Sequence, residues 1–109
     1  MTYCNEKGGI LAEPTDSAIQ STLEMVGGYH TYWWIGATDA DSEGNFAWIS
    51  GTPWSYTNWN SGEPNNYGNG EDCAHLRTDG TWNDIACDDT NYNKPLCQWK
   101  GKYFELLGM

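Results

Sequence analysis

Four cysteines, Cys4, Cys73, Cys87 and Cys97, constrain this chain more than any other feature. No two of them form a Cys-x-x-Cys pair, which argues against a zinc knuckle and for two disulfides formed in an oxidising compartment. Three connectivities satisfy that count. Ala74-His75-Leu76-Arg77 runs into Thr78-Asp79-Gly80 and returns through Trp82 to Ala86, a hairpin pattern with Cys73 and Cys87 at its two ends. A local bridge there leaves Cys4 for Cys97. That second link closes nearly the whole chain, a closure the loop-entropy model values at about 4 to 5 kcal/mol. Reduced, buried cysteine is the alternative.

The staples matter because 109 residues make one domain with a thin stability margin. Lys plus Arg total 5 against 15 Asp plus Glu, and the net charge of −10 makes nucleic acid and anionic membrane surfaces poor partners. Bound cations fit better. No apolar run approaches the roughly 20 residues of a membrane span, so membrane insertion is not expected. Met1-Thr2-Tyr3-Cys4 has neither the charged start nor the apolar stretch of a signal peptide, so the chain reads as a mature or recombinant segment.

One helix and several short strands emerge from the pattern. Thr15 or Asp16 caps a helix whose apolar positions Ile19, Leu23 and Val26 follow i, i+4, i+7 spacing, and Gly27-Gly28 ends it. Tyr32 to Gly36 and Phe46 to Ile49 read as strands by their aromatic and β-branched content, with an acidic loop, Thr38 to Gly44, between them. From Ser50 to Gly70 the chain is rich in Gly, Pro, Asn and Trp and has no periodicity. A structureless loop this long inside a compact domain is usually functional.

That loop holds Glu63-Pro64-Asn65-Asn66-Tyr67, then Glu71-Asp72-Cys73, with Trp82-Asn83-Asp84 further on. Carboxylates and carboxamides dominate, and such a density of hard oxygen ligands suits Ca²⁺, which takes about six to eight oxygens. No Ser/His/Asp or Cys/His constellation accompanies them. A glycosidase reading of Glu63 and Glu71 fails on protonation, because calcium ligation needs both ionised whereas a general acid must hold its proton near neutral pH. The chain reads as a binding protein and not an enzyme.

The ordered set Cys4…Trp34-Ile35-Gly36…Glu63-Pro64-Asn65…Glu71-Asp72-Cys73…Trp82-Asn83-Asp84…Cys87…Cys97 resembles the C-type lectin domain from Cys4 to about Trp99. The resemblance implies an α+β fold with small mixed and antiparallel sheets, one remaining helix, a long calcium-binding loop and the disulfides Cys4–Cys97 and Cys73–Cys87. It implies a sugar-binding calcium held by Glu63, Asn65, Glu71, Asn83 and Asp84, with a cis peptide at Pro64. Two vicinal hydroxyls would complete the ion's shell while Glu63 and Glu71 accept and Asn65 and Asn83 donate hydrogen bonds. Tyr67 lies where the family often contacts the sugar. The order Glu-Pro-Asn resembles the mannose-type subclass, implying glycans with terminal mannose, N-acetylglucosamine, fucose or glucose as partners and a secreted, extracellular protein. Microbial or self-glycan recognition is the corresponding role; surface binding to protein, mineral or ice is the alternative known for the fold.

A second, auxiliary calcium is implied at Asp39, Glu43, Asn66, Glu71 and Asp72, giving one or two Ca²⁺ in all. Asn66 stands where a carboxylate is usual, which removes charge from a site tuned partly by ligand charge. Two filled sites would add four positive charges and bring −10 to −6. The resemblance also implies that residues 1–99 form the recognition domain without its usual first strand and helix. The tail, residues 100–109, then offers Tyr103 to Leu107 as a strand to fill the vacant edge. Exposed core from the missing helix would favour a homodimer or another chain. Of the tryptophans, Trp34, Trp48 and Trp82 are expected in the core and Trp54, Trp59 and Trp99 beneath the loop. His75 is expected at the surface or half-buried, and His30 in a Gly-rich bend.

Overall fold

The computed structural model describes residues 2–27, 32–66, 70–88, 93–99 and 102–106. Gly28, His30, Tyr67, Lys100, Gly101 and Leu107 lie outside them. Helix α2, Ser17–Gly27, begins where the Asp16 carboxylate accepts the Ile19 amide at 2.8 Å, so Asp16 is the cap. Leu23 is fully buried on its inner face and Met25 stands out in solvent. A second helix, α1 (Thr2–Glu6), adds to the single one expected. Five residues are too short to carry a helical period. It ends in a left-handed glycine, Gly8 at φ 84°, with the Gly9 amide bonded to the Cys4 carbonyl at 2.9 Å.

The strands are β1 (Ile10–Leu11), β2 (Tyr32–Thr38), β3 (Ala47–Trp48), β4 (Cys73–Leu76), β5 (Trp82–Ile85), β6 (Asn93–Trp99) and β7 (Lys102–Leu106). They form one mixed sheet in the order β1-β6-β2-β4-β5, with β3 on β2 and β7 on β6. Among these described strands only the β2–β6 pair runs parallel. Five consecutive residues of β2 are buried, Trp33 to Ala37, which is the pattern of a strand covered on both faces. Gly36 in its middle is tight because a Cβ there would lie 3.0 Å from the Leu11 carbonyl. β7 pairs antiparallel with β6, Leu96 facing Leu106 and Trp99 facing Lys102.

Both disulfides join the expected partners, and Cys4 and Cys97 are wholly buried. The main core gathers Leu23, Ile35, Leu76 and Leu96 around Trp82, which is fully buried and donates its indole N–H to Gln20 Oε1 at 2.9 Å. Trp48, Trp54, Tyr56 and Trp59 meet the Trp82 ring edge-on, with centroids 5.5 to 6.0 Å away. The aperiodic segment is therefore anchored by aromatics. Asn58 and Asn60 add backbone bonds to Trp82 at 2.9 and 2.8 Å. Trp99 does not join this group beneath the loop. It packs with Cys4, Leu11, Trp34 and Cys97 in a smaller core, because β6 carries it past the disulfide to the β1 edge.

Candidate functional site

Asp84 organises the loop. It lies on the same buried face of β5 as Trp82, is 1% exposed, and its carboxylate accepts the backbone amides of Asn65 at 3.0 Å and Asn66 at 2.7 Å. Asn66 adopts φ 47°, a left-handed conformation that asparagine tolerates, and its Oδ1 accepts the Glu71 amide at 3.0 Å. The Glu63–Pro64 peptide is cis. Glu63, Asn65, Asn66, Glu71 and Asp84 are thus drawn together by short polar links from three separate stretches of chain.

Asn83 is held differently. On β5 it faces His75 of β4, and its Nδ2 lies 3.2 Å from His75 Nε2. His75 is 5% exposed, stacks on Tyr32 with ring centroids 5.0 Å apart, and places Nδ1 2.6 Å from Asn93 Oδ1. The histidine expected at the surface or half-buried is a buried linker, because Tyr32 of the neighbouring strand covers it. With Nδ1 donating to Asn93, Nε2 accepts from the Asn83 amide.

The acidic character of the site is unbalanced. Burial raises the Glu63 carboxyl above the usual range, the adjoining Asp84 carboxylate and the charge of Glu71 add to it, and Arg77 opposes them. Glu63 Oε1 is buried with no hydrogen-bond donor. A second group unites Asp39, Glu43 and Asp72, whose carboxylate oxygens lie within 4.8 Å of one another. β2 and β4 bring them together by pairing Thr38 with Cys73, although Asp39 and Asp72 are far apart in sequence. Asp39 Oδ1 and Asp72 Oδ1 are also buried without donors. Asn66, expected in this second group, spends its backbone amide on Asp84 and its side-chain oxygen on Glu71.

Buried carboxylate oxygens are normally satisfied, and orphaned ones suit a hard cation. Among the described residues the one ion pair is Arg77–Asp79, which belongs to neither group. Crowding raises the Glu43 carboxyl to about 7, chiefly through its contact with Asp39, then burial and the charges of Asp39 and Asp72; Asp72 is raised for the same reason by Asp39. The sign of the pH dependence follows. A carboxylate raised in the fold contributes stability fully present below its unfolded pKa, about 4.5 for Glu43, and lost as pH rises through about 7. In excess EDTA the urea midpoint should therefore be higher at about pH 5 than at about pH 8 from this contribution. Added calcium, competing with those protons, should stabilise more at the higher pH. Equal midpoints in EDTA would mean that these carboxylates are not crowded.

A family model for the Lectin C-type domain matches residues 1–98. The chain belongs to the C-type lectin family. This lectin domain is 41% identical over 90 residues to the mannose-binding protein of Gallus gallus, covering 83% of the chain and 35% of that protein. The chain thus spans about a third of that relative's length. Among solved structures, the mouse scavenger receptor C-type lectin carbohydrate-recognition domain superposes with a TM-score of 0.74 at 36% identity, over 80% of this chain and 68% of that one. A calcium-independent type II antifreeze protein shares the fold at 28% identity and a TM-score of 0.68, over 77% and 64% of the two chains. C-type lectin domains are binding modules, not enzymes. Among the described residues no helix is long and apolar enough to cross a membrane.

Proposed function

We propose that this lectin domain binds carbohydrate in a calcium-dependent manner and prefers mannose-type sugars. The observation that carries the reading is the buried, donorless Glu63 Oε1 beside Asp84, in a loop whose Asn65 and Asn66 amides are tied to that aspartate. Glu63, Asn65, Glu71, Asn83 and Asp84 are the proposed ligands of the principal ion. Asp39, Glu43 and Asp72 would hold an auxiliary one. When bound, calcium offers coordination positions that a vicinal hydroxyl pair can occupy.

The protein's own groups orient the sugar. Glu63 and Glu71 accept hydrogen bonds from its hydroxyls, and Asn65 and Asn83 donate to them. Asp84 keeps the loop in register from below, while His75 holds the Asn83 amide. Tyr67 would flank the sugar. The relative from Gallus gallus is named for mannose binding, and Glu-Pro-Asn in this chain agrees with that preference. Two disulfides suit an extracellular setting.

The antifreeze relative supports a second reading, surface binding without calcium. The uncompensated carboxylates weigh against it, since a calcium-free surface module has no use for orphaned anions. A glycan array run with calcium and with EDTA separates the two. Mannose-, fucose- or N-acetylglucosamine-terminated glycans should bind only with calcium; binding indifferent to both sugar and EDTA would reject the lectin reading. Replacing Glu63 by Gln and Asn65 by Asp together should exchange donor and acceptor positions and move preference toward galactose-type sugars by roughly tenfold or more, about 1.4 kcal/mol. Unchanged selectivity in a sugar-binding protein would reject the motif's role.

A further inference from the structure

A cavity of about 480 Å³ opens at the β1–β6 edge of the sheet, beyond β2 and β4 from the β5 strand that carries Asn83 and Asp84, and shares no residue with the proposed calcium sites. Its size falls in the range of small-molecule sites. One wall is the Trp99 indole, and Ile10 and Ile19 add apolar surface. The indole is fixed: its N–H donates to the Lys7 carbonyl at 2.9 Å, and it lies so close to Gly9 that a Cβ there would be 2.9 Å from Trp99 Cε2. A rigid aromatic wall loses little entropy when a ligand packs on it.

The opposite lining is polar and ordered. Glu13 is 3% exposed and accepts the Ser50 amide at 2.9 Å and the Ser50 hydroxyl at 2.6 Å; that hydroxyl also lies 2.8 Å from Thr52 Oγ1. The Glu13 amide donates to Gln98 Oε1 at 2.9 Å, which orients the carboxamide and leaves Gln98 Nε2 without an acceptor among the described residues. Holding the Ser50 turn accounts for Glu13. It does not account for a pre-oriented amide donor and an aromatic wall around the same space.

The lining selects the ligand by exclusion. Among the described residues no lysine or arginine borders the cavity, and a buried carboxylate in a chain of charge −10 repels an anion. A metal would find a single carboxylate already accepting two hydrogen bonds. A purely apolar ligand would strand the Gln98 amide and the threonine hydroxyls away from water. What remains is a neutral molecule with an apolar face and several hydroxyls. We propose that this cavity is a second, calcium-independent site for a neutral polyhydroxylated ligand of monosaccharide size, with its C–H face on Trp99, hydroxyls accepting from Gln98 Nε2, and hydroxyls donating to Glu13 and Thr52.

Saturation-transfer NMR on the whole chain in excess EDTA tests this, with methyl glucoside, N-acetylglucosamine and mannitol as probes. At least one probe should give saturable binding in the millimolar range, about −4 kcal/mol. Thr52→Arg, placed on an exposed residue, should fill the cavity beside Glu13 and abolish the signal, while Gln98→Leu should weaken it roughly tenfold by removing the amide donor. Asp84→Ala should leave this signal intact in EDTA even where calcium-dependent binding is gone. Thr52→Arg, in turn, should keep the calcium-dependent binding of the native chain, which also certifies its fold. Absence of saturable binding by all three probes in EDTA, or a signal unchanged in Thr52→Arg, overturns the second site and leaves the calcium site standing.

Discussion

Replacing Cys4 and Cys97 together by serine should lower stability by about 4 to 5 kcal/mol, the entropy of a closed loop spanning nearly the whole chain, before any loss of packing is counted. Both residues are wholly buried in the smaller core with Leu11 and Trp34, so two hydroxyls would also enter an apolar site. The same exchange at Cys73 and Cys87 opens a loop of sequence separation 14 and should cost about 3 kcal/mol, with Cys87 exposed. Domains of this size are stable by only about 5 to 15 kcal/mol, so the first double variant should be substantially unfolded at ambient temperature and the second folded but weakened. Urea denaturation followed by tryptophan fluorescence distinguishes them. Equal losses from the two pairs would mean that local strain and packing, not chain closure, set their contributions.

How much of this was legible in the sequence depended on how far each contact reaches along the chain. Asp16 was readable as a cap because its partner, the Ile19 amide, is three residues away. The Cys73–Cys87 bridge was readable because a hairpin joins its ends, and Cys4–Cys97 followed by elimination. The burial of His75 was not readable, since it depends on Tyr32 of another strand stacking on the ring. Nor was the divergence of Trp99 from Trp54 and Trp59, because all three are aromatic residues near turns and only the strand order sends Trp99 to the β1 edge. The five residues of α1 carried no period to detect.

The candidate site shows the same division. Its residue types were visible as a run of oxygen donors, and the union of Asp39 with Asp72 requires the β2–β4 register, which no local pattern encodes. The Gln98–Glu13–Ser50 lining is illegible in the sequence for a related reason: the three residues belong to β6, the segment after β1 and the segment after β3, and none is unusual alone. Acidic crowding, by contrast, is a property of the sum. The net charge of −10 points to a shortage of basic partners, and the one ion pair among the described residues agrees with that imbalance.

Asp84→Ala should eliminate calcium-dependent sugar binding and loosen the loop even without calcium. The two effects have separate causes. Loss of a proposed ligand carboxylate weakens the ion, while loss of the acceptor for the Asn65 and Asn66 amides releases the turn that aims Glu63 and Asn65. Each charge-assisted bond is worth about 1.5 to 3 kcal/mol, so loop order alone could cost more than a hundredfold in sugar affinity, about 3 kcal/mol for the pair. Asp84→Asn separates the contributions: its side-chain oxygen can still accept one of the two amides, but it brings no charge to the ion. Calcium affinity should then fall in both variants, whereas amide hydrogen exchange in EDTA should rise at both Asn65 and Asn66 in Asp84→Ala but at only one of them in Asp84→Asn. If Asp84→Ala kept native sugar affinity at low calcium, the aspartate would be a structural anchor alone and the binding site would have to be sought elsewhere on the domain.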